Sequence, residues 1–126
     1  MILGIGTDII EIRRIEEAVR RNERFLKKCF TEQEQKLFQE RKNSFNTIAA
    51  TFAAKEAVAK AFGTGFRNFG LRDIEVLRDD MGKPYVLTYG NAKKLAEELK
   101  VSKIFITLSH CREYAVAYAI VQKEEN

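Results

Sequence analysis

The stretch Phe52-Ala53-Ala54-Lys55-Glu56-Ala57-Val58-Ala59-Lys60-Ala61-Phe62-Gly63-Thr64-Gly65 decides the architecture of this 126-residue chain. Its alanines and its lack of proline predict a helix. Gly63 and Gly65 end that helix, one of them as the left-handed residue after the C-cap. On a helical projection nearly the whole circumference is apolar, and Glu56 and Lys60 fall in a gap roughly 40° wide. We therefore expect a buried central helix that carries two charged side chains.

Glu56 and Lys60 need partners, because an unpaired charge inside a protein costs several kcal/mol. At a spacing of four residues, with the acid first, the two side chains can pair with each other. Alternatively, Glu56 holds a cation and Lys60 a phosphate, and the turn at Gly63-Thr64-Gly65 offers backbone N–H groups to the same anion. The second interpretation requires another carboxylate elsewhere in the chain.

A candidate for that carboxylate lies near the N-terminus. The run from Ile2 to Ile10 is typical of a buried strand, and its two glycines allow another backbone to approach closely. Asp8 is the anomaly in this run. It either caps a helix that begins near Glu11, since Asp is a favoured N-cap, or is held inside to bind a ligand. In the second case Asp8 is the partner that Glu56 requires.

Turn residues and hydrophobic periodicity predict the remaining elements. The helices are an arginine-rich helix from Ile12, a helix with a Thr31/Glu34 capping box that runs to about Arg41, the central helix, which is entered at Ile48, and a helix capped by Asn91. The strands are a hairpin over 74–89 and two further strands over 104–110 and 114–121. The pattern predicts one α+β domain over residues 1–126, in which a mostly antiparallel sheet packs with a long central helix and shorter N-terminal helices.

Composition narrows the class of protein. With 45% hydrophobic and 32% charged residues, the chain is typical of a folded domain and not of a disordered one. Cys29 and Cys111 are far apart and there is one histidine, which argues against a zinc cluster. Reduced thiols fit a cytoplasmic protein. The chain opens directly on a strand-like run and has no long apolar segment, so we expect neither secretion nor membrane spanning.

Positive charge is concentrated between Ile12 and Lys28, where seven basic residues, five of them arginine, face three acids. An inward apolar stripe there displays the arginines on one helix face. Such a run is often only a solvated surface. A guanidinium also suits carboxylate or phosphate, so the face could dock an acidic protein or a nucleic acid.

Ser109 and His110 close a predicted strand and raise the question of a nucleophile pair. Adjacent strand residues point to opposite faces, so the two side chains cannot partner each other directly. His110 taken alone is typical of a structural histidine. Hydrolase chemistry is therefore not expected.

Four groups of residues then form a collinear pattern. They are Gly4-Ile5-Gly6-Thr7-Asp8-Ile9; Phe52-Ala53-Ala54-Lys55-Glu56-Ala57 running into Lys60-Ala61-Phe62-Gly63-Thr64-Gly65; Asp73-Ile74-Glu75-Val76 with Gly82-Lys83-Pro84; and Leu108-Ser109-His110 with Glu113-Tyr114-Ala115. In this order the pattern resembles the holo-[acyl-carrier-protein] synthases, the short bacterial 4′-phosphopantetheinyl transferases. The resemblance spans nearly the whole chain. It departs at Thr51, where the family often has a basic residue expected to contact a cofactor phosphate.

The resemblance implies transfer of the phosphopantetheine arm of coenzyme A to a serine hydroxyl of apo-acyl carrier protein in fatty acid biosynthesis, with release of adenosine 3′,5′-bisphosphate. Asp8 and Glu56 would hold Mg²⁺ with the pyrophosphate, whose charge Lys60 would neutralise. These three residues would be the catalytic set, and the proton acceptor would be Glu56 or a water on the ion. The other implied nucleotide contacts are Gly63, Thr64 and Gly65, then Lys83 and Pro84 at the adenosine end, and Thr107 and His110 at the phosphates.

The resemblance also implies a homotrimer with active sites between subunits. The implied docking face for the acidic carrier protein is formed by Arg13, Arg14, Arg21, Arg24 and Phe25. A rival from another class is a small basic RNA- or DNA-binding module that uses the same arginines. The absence of Trp, the lack of an RNP-like aromatic strand and the acids placed inside argue against it. We therefore expect coenzyme A and acyl carrier protein as partners, and neither nucleic acid nor a membrane.

Overall fold

A computed structural model describes residues 1–125, and Asn126 lies outside the described part. The elements are, in chain order, β1 (Ile2–Glu11), α1 (Ile12–Arg21), α2 (Phe25–Cys29), α3 (Glu32–Glu40), α4 (Phe45–Ala61), β2 (Ile74–Arg78), β3 (Pro84–Thr88), α5 (Gly90–Glu98), β4 (Val101–His110) and β5 (Tyr114–Lys123), with a short 3-10 turn at Leu71–Asp73. The class is α+β, as expected, with all strand pairing antiparallel among the described residues.

Helix α4 is the centre of the fold. Eleven of its seventeen residues are buried, and its alanines contribute to both hydrophobic clusters of the core. The helix begins three residues before Ile48, after Ser44 as N-cap. At its other end, Gly63 follows the C-cap Phe62 with φ of +85°, the left-handed conformation that the sequence predicted.

Strands β1, β5 and β4 form one sheet in that order. Its inner face packs on α4 through small side chains of β5, including Ala117 and Ala119. The outer face is apolar but open: Ile5, Ile9 and Tyr118 are 71%, 65% and 57% exposed. The expectation that β1 is a buried strand is therefore correct for one face only, because alternate side chains of a strand point to opposite sides.

The two glycines of β1 let the strand lie directly on α4. A Cβ at Gly4 would overlap the carbonyl oxygen of Ala61, and a Cβ at Gly6 would overlap that of Ala57. Neither overlap can be relieved by rotating a side chain, because both partners are backbone atoms. Backbone contact thus sets the separation between β1 and α4, as the glycines of this strand predicted.

The smaller elements agree with the prediction from the sequence except in two local details. The hairpin of β2 and β3 forms as predicted, with Gly82 in the turn at φ of +83°. The capping box of Thr31 and Glu34 opens α3. The arginine-rich segment is two helices, because the backbone at Asn22 is extended and ends α1. Asn91 does not cap α5; its side chain instead donates a hydrogen bond to the carbonyl of Asn68.

Candidate active site

Strand β1 carries Asp8 over the C-terminal half of α4. Asp8 shares the inner strand face with Gly4 and Gly6, and its side chain is 18% exposed. The strand continues to Glu11, which occupies the N-cap position of α1. The interpretation of Asp8 as a helix cap is therefore wrong, because the residue lies inside a strand, four positions before the helix begins at Ile12.

Lys60 turns away from its own helix and binds to β1. Its ammonium donates to Oδ1 of Asp8 at 3.1 Å and to the carbonyl oxygen of Thr7 at 2.9 Å. Within residues 1–125, Lys60 forms no salt bridge with Glu56. The pairing of Glu56 with Lys60 along one helix face is thus not the arrangement found, and the cation joins helix to strand.

Glu56 lies half-buried beside this ion pair. Burial raises the pKa of Glu56, the negative charge of Asp8 raises it further, and Lys60 opposes both effects. In the described part of the chain its carboxylate has no salt bridge and no hydrogen-bond partner. The fold therefore brings two acids within electrostatic reach of each other and leaves one of them without a cation.

The chemistry of this donor set fits a hard divalent cation. Carboxylate oxygens are the ligands that Mg²⁺ prefers, and the ion commonly takes only one or two of them together with substrate phosphates. No group of three or more potential metal-ligating side chains occurs among residues 1–125. Asp8 and Glu56 could therefore hold Mg²⁺ only when other oxygens complete its coordination.

The turn after α4 offers fewer backbone donors than expected. The N–H of Gly63 donates to the carbonyl of Lys60, and the N–H of Gly65 donates to that of Ala59. The hydroxyl of Thr64 donates to the carbonyl of Gly65 at 2.8 Å. Across the described residues, the N–H of Thr64 has no backbone acceptor. Of the backbone N–H groups that were expected to bind an anion at this turn, only that of Thr64 therefore remains free of a backbone partner within the described chain.

A second set of predicted residues meets beside the N-terminal part of α4. Pro84, Thr107 and His110 line a cavity of about 240 Å³. Lys83 is exposed at the hairpin turn next to Pro84. The same cavity is lined by Arg41 and Arg78, which the sequence analysis did not single out.

The sequence gives a weak indication that the side chain of Arg78 points inward. Ile74 and Val76 are buried on β2, so a residue two positions further along continues their inward-facing register. A basic side chain at such a position is unusual, because cations avoid the interior unless they have a role. No comparable signal marks Arg41, which follows α3 as its C-cap.

A buried ion pair between Lys55 and Glu34 was also missed. Both side chains are fully buried, and Nζ of Lys55 lies 2.6 Å from Oε1 of Glu34. The ammonium also donates to the carbonyls of Leu71 and Ile74, while Glu34 accepts from the N–H of Val76. Burial raises the pKa of Glu34 and lowers the pKa of Lys55, and their mutual attraction opposes both shifts. The pair fastens α3 and β2 to the central helix.

The arginine face is exposed on α1 and the linker to α2. Arg13 donates to Glu17 at 3.0 Å, and Arg14 lies 4.0 Å from Glu11. The exposed residues Arg21 and Arg24 form no salt bridge with any residue in 1–125. Phe25 does not project with the arginines: it is half-buried and its ring packs against Phe30 and Phe52. Its main contact is with the core.

Within residues 1–125, no helix combines the length and the apolar character that a membrane crossing requires.

Comparison with known proteins identifies the family. Residues 4–119 match the family model of the 4′-phosphopantetheinyl transferase superfamily. A holo-[acyl-carrier-protein] synthase of Alkaliphilus oremlandii is 53% identical over 95% of this chain and 98% of that protein. The crystal structure of the holo-[acyl-carrier-protein] synthase from Neisseria meningitidis has a TM-score of 0.91 at 34% identity and covers 98% of this chain and 100% of its own.

A third relative was solved with a nucleotide. The holo-(acyl-carrier-protein) synthase of Bacillus anthracis, in complex with CoA (3′,5′-ADP), has a TM-score of 0.82 at 36% identity over 98% of this chain and 99% of its own. The nucleic-acid-binding alternative receives no support from these relatives. The chain belongs to the 4′-phosphopantetheinyl transferase superfamily and, within it, to the holo-[acyl-carrier-protein] synthases.

Proposed function

We propose that residues 1–126 form a single transferase domain that moves the 4′-phosphopantetheine arm of coenzyme A to a serine hydroxyl of apo-acyl carrier protein. The reaction depends on Mg²⁺, releases adenosine 3′,5′-bisphosphate and serves fatty acid biosynthesis. The observation that carries the proposal is the convergence of Asp8, Glu56 and Lys60 from β1 and α4. Relatives named for the same activity and a relative bound to CoA support the substrate class.

Asp8 and Glu56 are the residues that would hold the ion. The effect of Asp8 on the pKa of Glu56 means that two ionised carboxylates repel each other in the free enzyme. A divalent cation would remove this repulsion. When bound, Mg²⁺ would polarise the pyrophosphate and neutralise the charge that develops as its P–O bond breaks.

The protein side chains then have separate tasks. Lys60, held in place by Asp8 and the carbonyl of Thr7, supplies positive charge for the pyrophosphate. The serine oxygen forms a bond to the phosphorus that carries pantetheine, and the bond from that phosphorus to the adenosine-bearing phosphate breaks. The acceptor of the serine proton is Glu56 or a water that the ion would hold.

The partners follow from two surfaces. The exposed arginines Arg13, Arg14, Arg21 and Arg24 suit an acidic carrier protein, and the half-buried Phe25 follows Arg24 in the chain. The open apolar face of the β1-β5-β4 sheet suits a second copy of the chain and supports a homotrimer with sites between subunits. Across the three strands, Ile5, Ile120 and Phe105 stand in register on that face. Both cysteines are free thiols, in keeping with a cytoplasmic enzyme.

Mass spectrometry of the carrier protein tests the proposal directly. Apo-acyl carrier protein incubated with this enzyme, coenzyme A and Mg²⁺ should gain the mass of one phosphopantetheine on a serine. The gain should disappear with EDTA and with the Asp8→Ala and Glu56→Ala variants. An unmodified carrier protein under all conditions, with the enzyme folded, would refute the assignment.

A further inference from the structure

Lys55 is held by a complete set of directed hydrogen bonds. Its side chain is fully buried, and its ammonium donates to Oε1 of Glu34 at 2.6 Å and to the carbonyl oxygens of Leu71 and Ile74, each at 2.8 Å. An ammonium has three protons, so each of them has an acceptor here. The acceptors belong to α3, to the 3-10 turn and to the start of β2. One side chain of α4 is therefore tied to three other elements at once.

The carboxylate that receives Lys55 is itself fixed. Oε2 of Glu34 accepts from the N–H of Val76 at 2.7 Å, and Oε1 also accepts from the N–H of Thr31 at 2.8 Å. The hydroxyl of Thr31 in turn donates to the buried carboxylate of Glu75. Glu34 cannot turn with α4 without losing its bonds to α3 and β2, so it gives Lys55 a single position to reach.

Stability alone does not require such an arrangement. Replacing a buried ion pair by apolar side chains is often neutral or stabilising, and the best-attested use of buried ionic groups is to fix a register. Helix α4 has a need of this kind, because seven of its eleven buried residues are alanine and they lie around most of its circumference. Small, similar side chains on every face do not select one rotation of a helix about its axis.

This rotation decides where Glu56 points. Lys55 and Glu56 are consecutive, and their side chains therefore leave α4 about 100° apart. Turning the helix by about 10° would move the end of a side chain by roughly 1 Å, since that end lies about 5–6 Å from the axis. Mg²⁺ demands near-ideal octahedral geometry, and a displacement of this size would spoil a site that Glu56 shares with Asp8.

The contacts of α4 with β1 are less suited to fixing the rotation. Gly4 and Gly6 set the separation of strand and helix, but they have no side chains to interlock with the helix surface. Lys60 does bind Asp8, yet its side chain is 52% exposed and its charge is directed to the pyrophosphate in the proposed reaction. The anchor that can stay unchanged throughout the reaction is the one at Lys55.

We propose that Lys55 is a positioning residue of the transferase site. Through Glu34 and the two backbone carbonyls it fixes the rotation of α4, and it thereby directs Glu56 to the place where Glu56 and Asp8 can share a divalent ion. The inference rests on the proposed function, because the ion and its two ligands belong to that proposal. Full burial keeps Lys55 itself away from ion and substrate.

The test removes this anchor without leaving a buried charge behind. Lys55→Met combined with Glu34→Gln lacks both charges and should fold more stably than Lys55→Met alone. Mn²⁺ takes the same oxygen ligands as Mg²⁺ and can be followed by electron paramagnetic resonance. With coenzyme A present and carrier protein absent, we expect this double variant to bind Mn²⁺ about 10- to 100-fold more weakly than the wild type, the range for groups that orient a metal ligand.

Two further variants separate orientation from stability. Lys55→Gln combined with Glu34→Gln also lacks the charges, but its amides can hydrogen-bond to each other and to a backbone carbonyl. It should therefore bind Mn²⁺ more tightly than the first double variant. Leu95→Ala, which shortens an α5 side chain packed against the core, should lower the melting temperature and leave the Mn²⁺ affinity within about twofold of wild type.

The outcomes are distinct when all proteins are compared at a temperature at which they are folded. If both double variants bind Mn²⁺ as tightly as the wild type, the inference is overturned and the transferase assignment stands. Leu95→Ala that weakens Mn²⁺ binding as much as the double variants do would also overturn it, because general loss of stability would then explain the effect. A wild type that binds no Mn²⁺ beside coenzyme A would refute both the proposed ion site and the role of Lys55.

Discussion

Nζ of Lys60 lies 3.1 Å from Oδ1 of Asp8, a residue fifty-two positions earlier in the chain. This ion pair joins the central helix to the first strand and satisfies Asp8. It leaves Glu56, one helical turn before Lys60, with no salt bridge to the rest of the described chain. Because Asp8 is paired with a cation and Glu56 is not, Glu56 is the carboxylate that can take a metal ion or a proton.

Replacing Glu56 by Gln should raise the stability of the protein and lower its activity. Because the folded protein raises the pKa of Glu56, ionisation of this group costs stability at pH values above that pKa. We expect Glu56→Gln to melt at a higher temperature than wild type at neutral pH and to lose at least about 100-fold in kcat. The melting difference should vanish in acid, where wild-type Glu56 is protonated. Glu97→Gln, at an exposed acid on α5, should change neither quantity.

Magnesium binding should depend on pH through the same group. At a tenfold excess over its Kd, Mg²⁺ should stabilise the wild type by about 1.4 kcal/mol in urea unfolding. Protons compete with the metal for Glu56, so this increment should fall as the pH is lowered through the raised pKa of that residue. Asp8→Asn and Glu56→Gln should show no increment at any pH. An undiminished effect of Mg²⁺ in both variants would place the ion elsewhere.

Loss of the buried ammonium at Lys55 should destabilise the fold. In Lys55→Met the carboxylate of Glu34 stays buried without its cation, and the carbonyls of Leu71 and Ile74 lose a donor. We expect a loss of about 3–5 kcal/mol in the free energy of unfolding, measured with urea. Lys36→Met on the exposed side of α3 should cost little. Equal effects of the two substitutions would contradict a structural role for the ion pair.

Charge reversal on the arginine face should affect one substrate only. We expect Arg14→Glu combined with Arg24→Glu to raise the KM for acyl carrier protein on the order of tenfold, with the wild-type value rising similarly as salt is added. The KM for coenzyme A should hardly change. Lys93→Glu with Lys94→Glu on α5 makes the same change in net charge away from this face and is the control. A parallel loss for both substrates would argue against docking here.

A charge on the open sheet face should block assembly. Tyr118→Glu places a carboxylate at the centre of the exposed apolar face, where burial against another copy would be costly. Light scattering after size exclusion should show trimers for wild type and smaller species for the variant, with activity lost if sites lie between subunits. Met81→Glu, at a 91% exposed apolar residue of the hairpin turn, should remain trimeric.

Local pattern predicted much of the fold. The helix α4, its left-handed glycine end, the capping box of Thr31 and the hairpin of β2 and β3 each follow from residues adjacent in sequence. The partner of Lys60 could not be predicted in this way, because helical spacing reveals neighbours on the same helix but not the carboxylate of a distant strand. The break at Asn22 was also missed, since the apolar stripe of α1 gives no sign of where it ends.

The contacts of Lys55 and Arg78 could not be predicted from the sequence for a related reason. The helical projection placed Glu56 and Lys60 in the polar gap of α4 and did not account for Lys55, and only the position of α3 shows that Lys55 is buried. The contact of Arg78 with Thr51 depends on the register of β2 against α4, which neither segment specifies alone. Long-range packing, and not local preference, decides these sites.

The contact of Gly4 and Gly6 with the backbone of α4 limits how this enzyme can evolve. Most packed interfaces tolerate drift, since a larger side chain on one side can be offset by a smaller one opposite. Here the opposite side is a peptide carbonyl, which has no smaller version. A single added methyl group would displace the strand that holds Asp8 from the helix that holds Glu56, and no second substitution could restore their spacing.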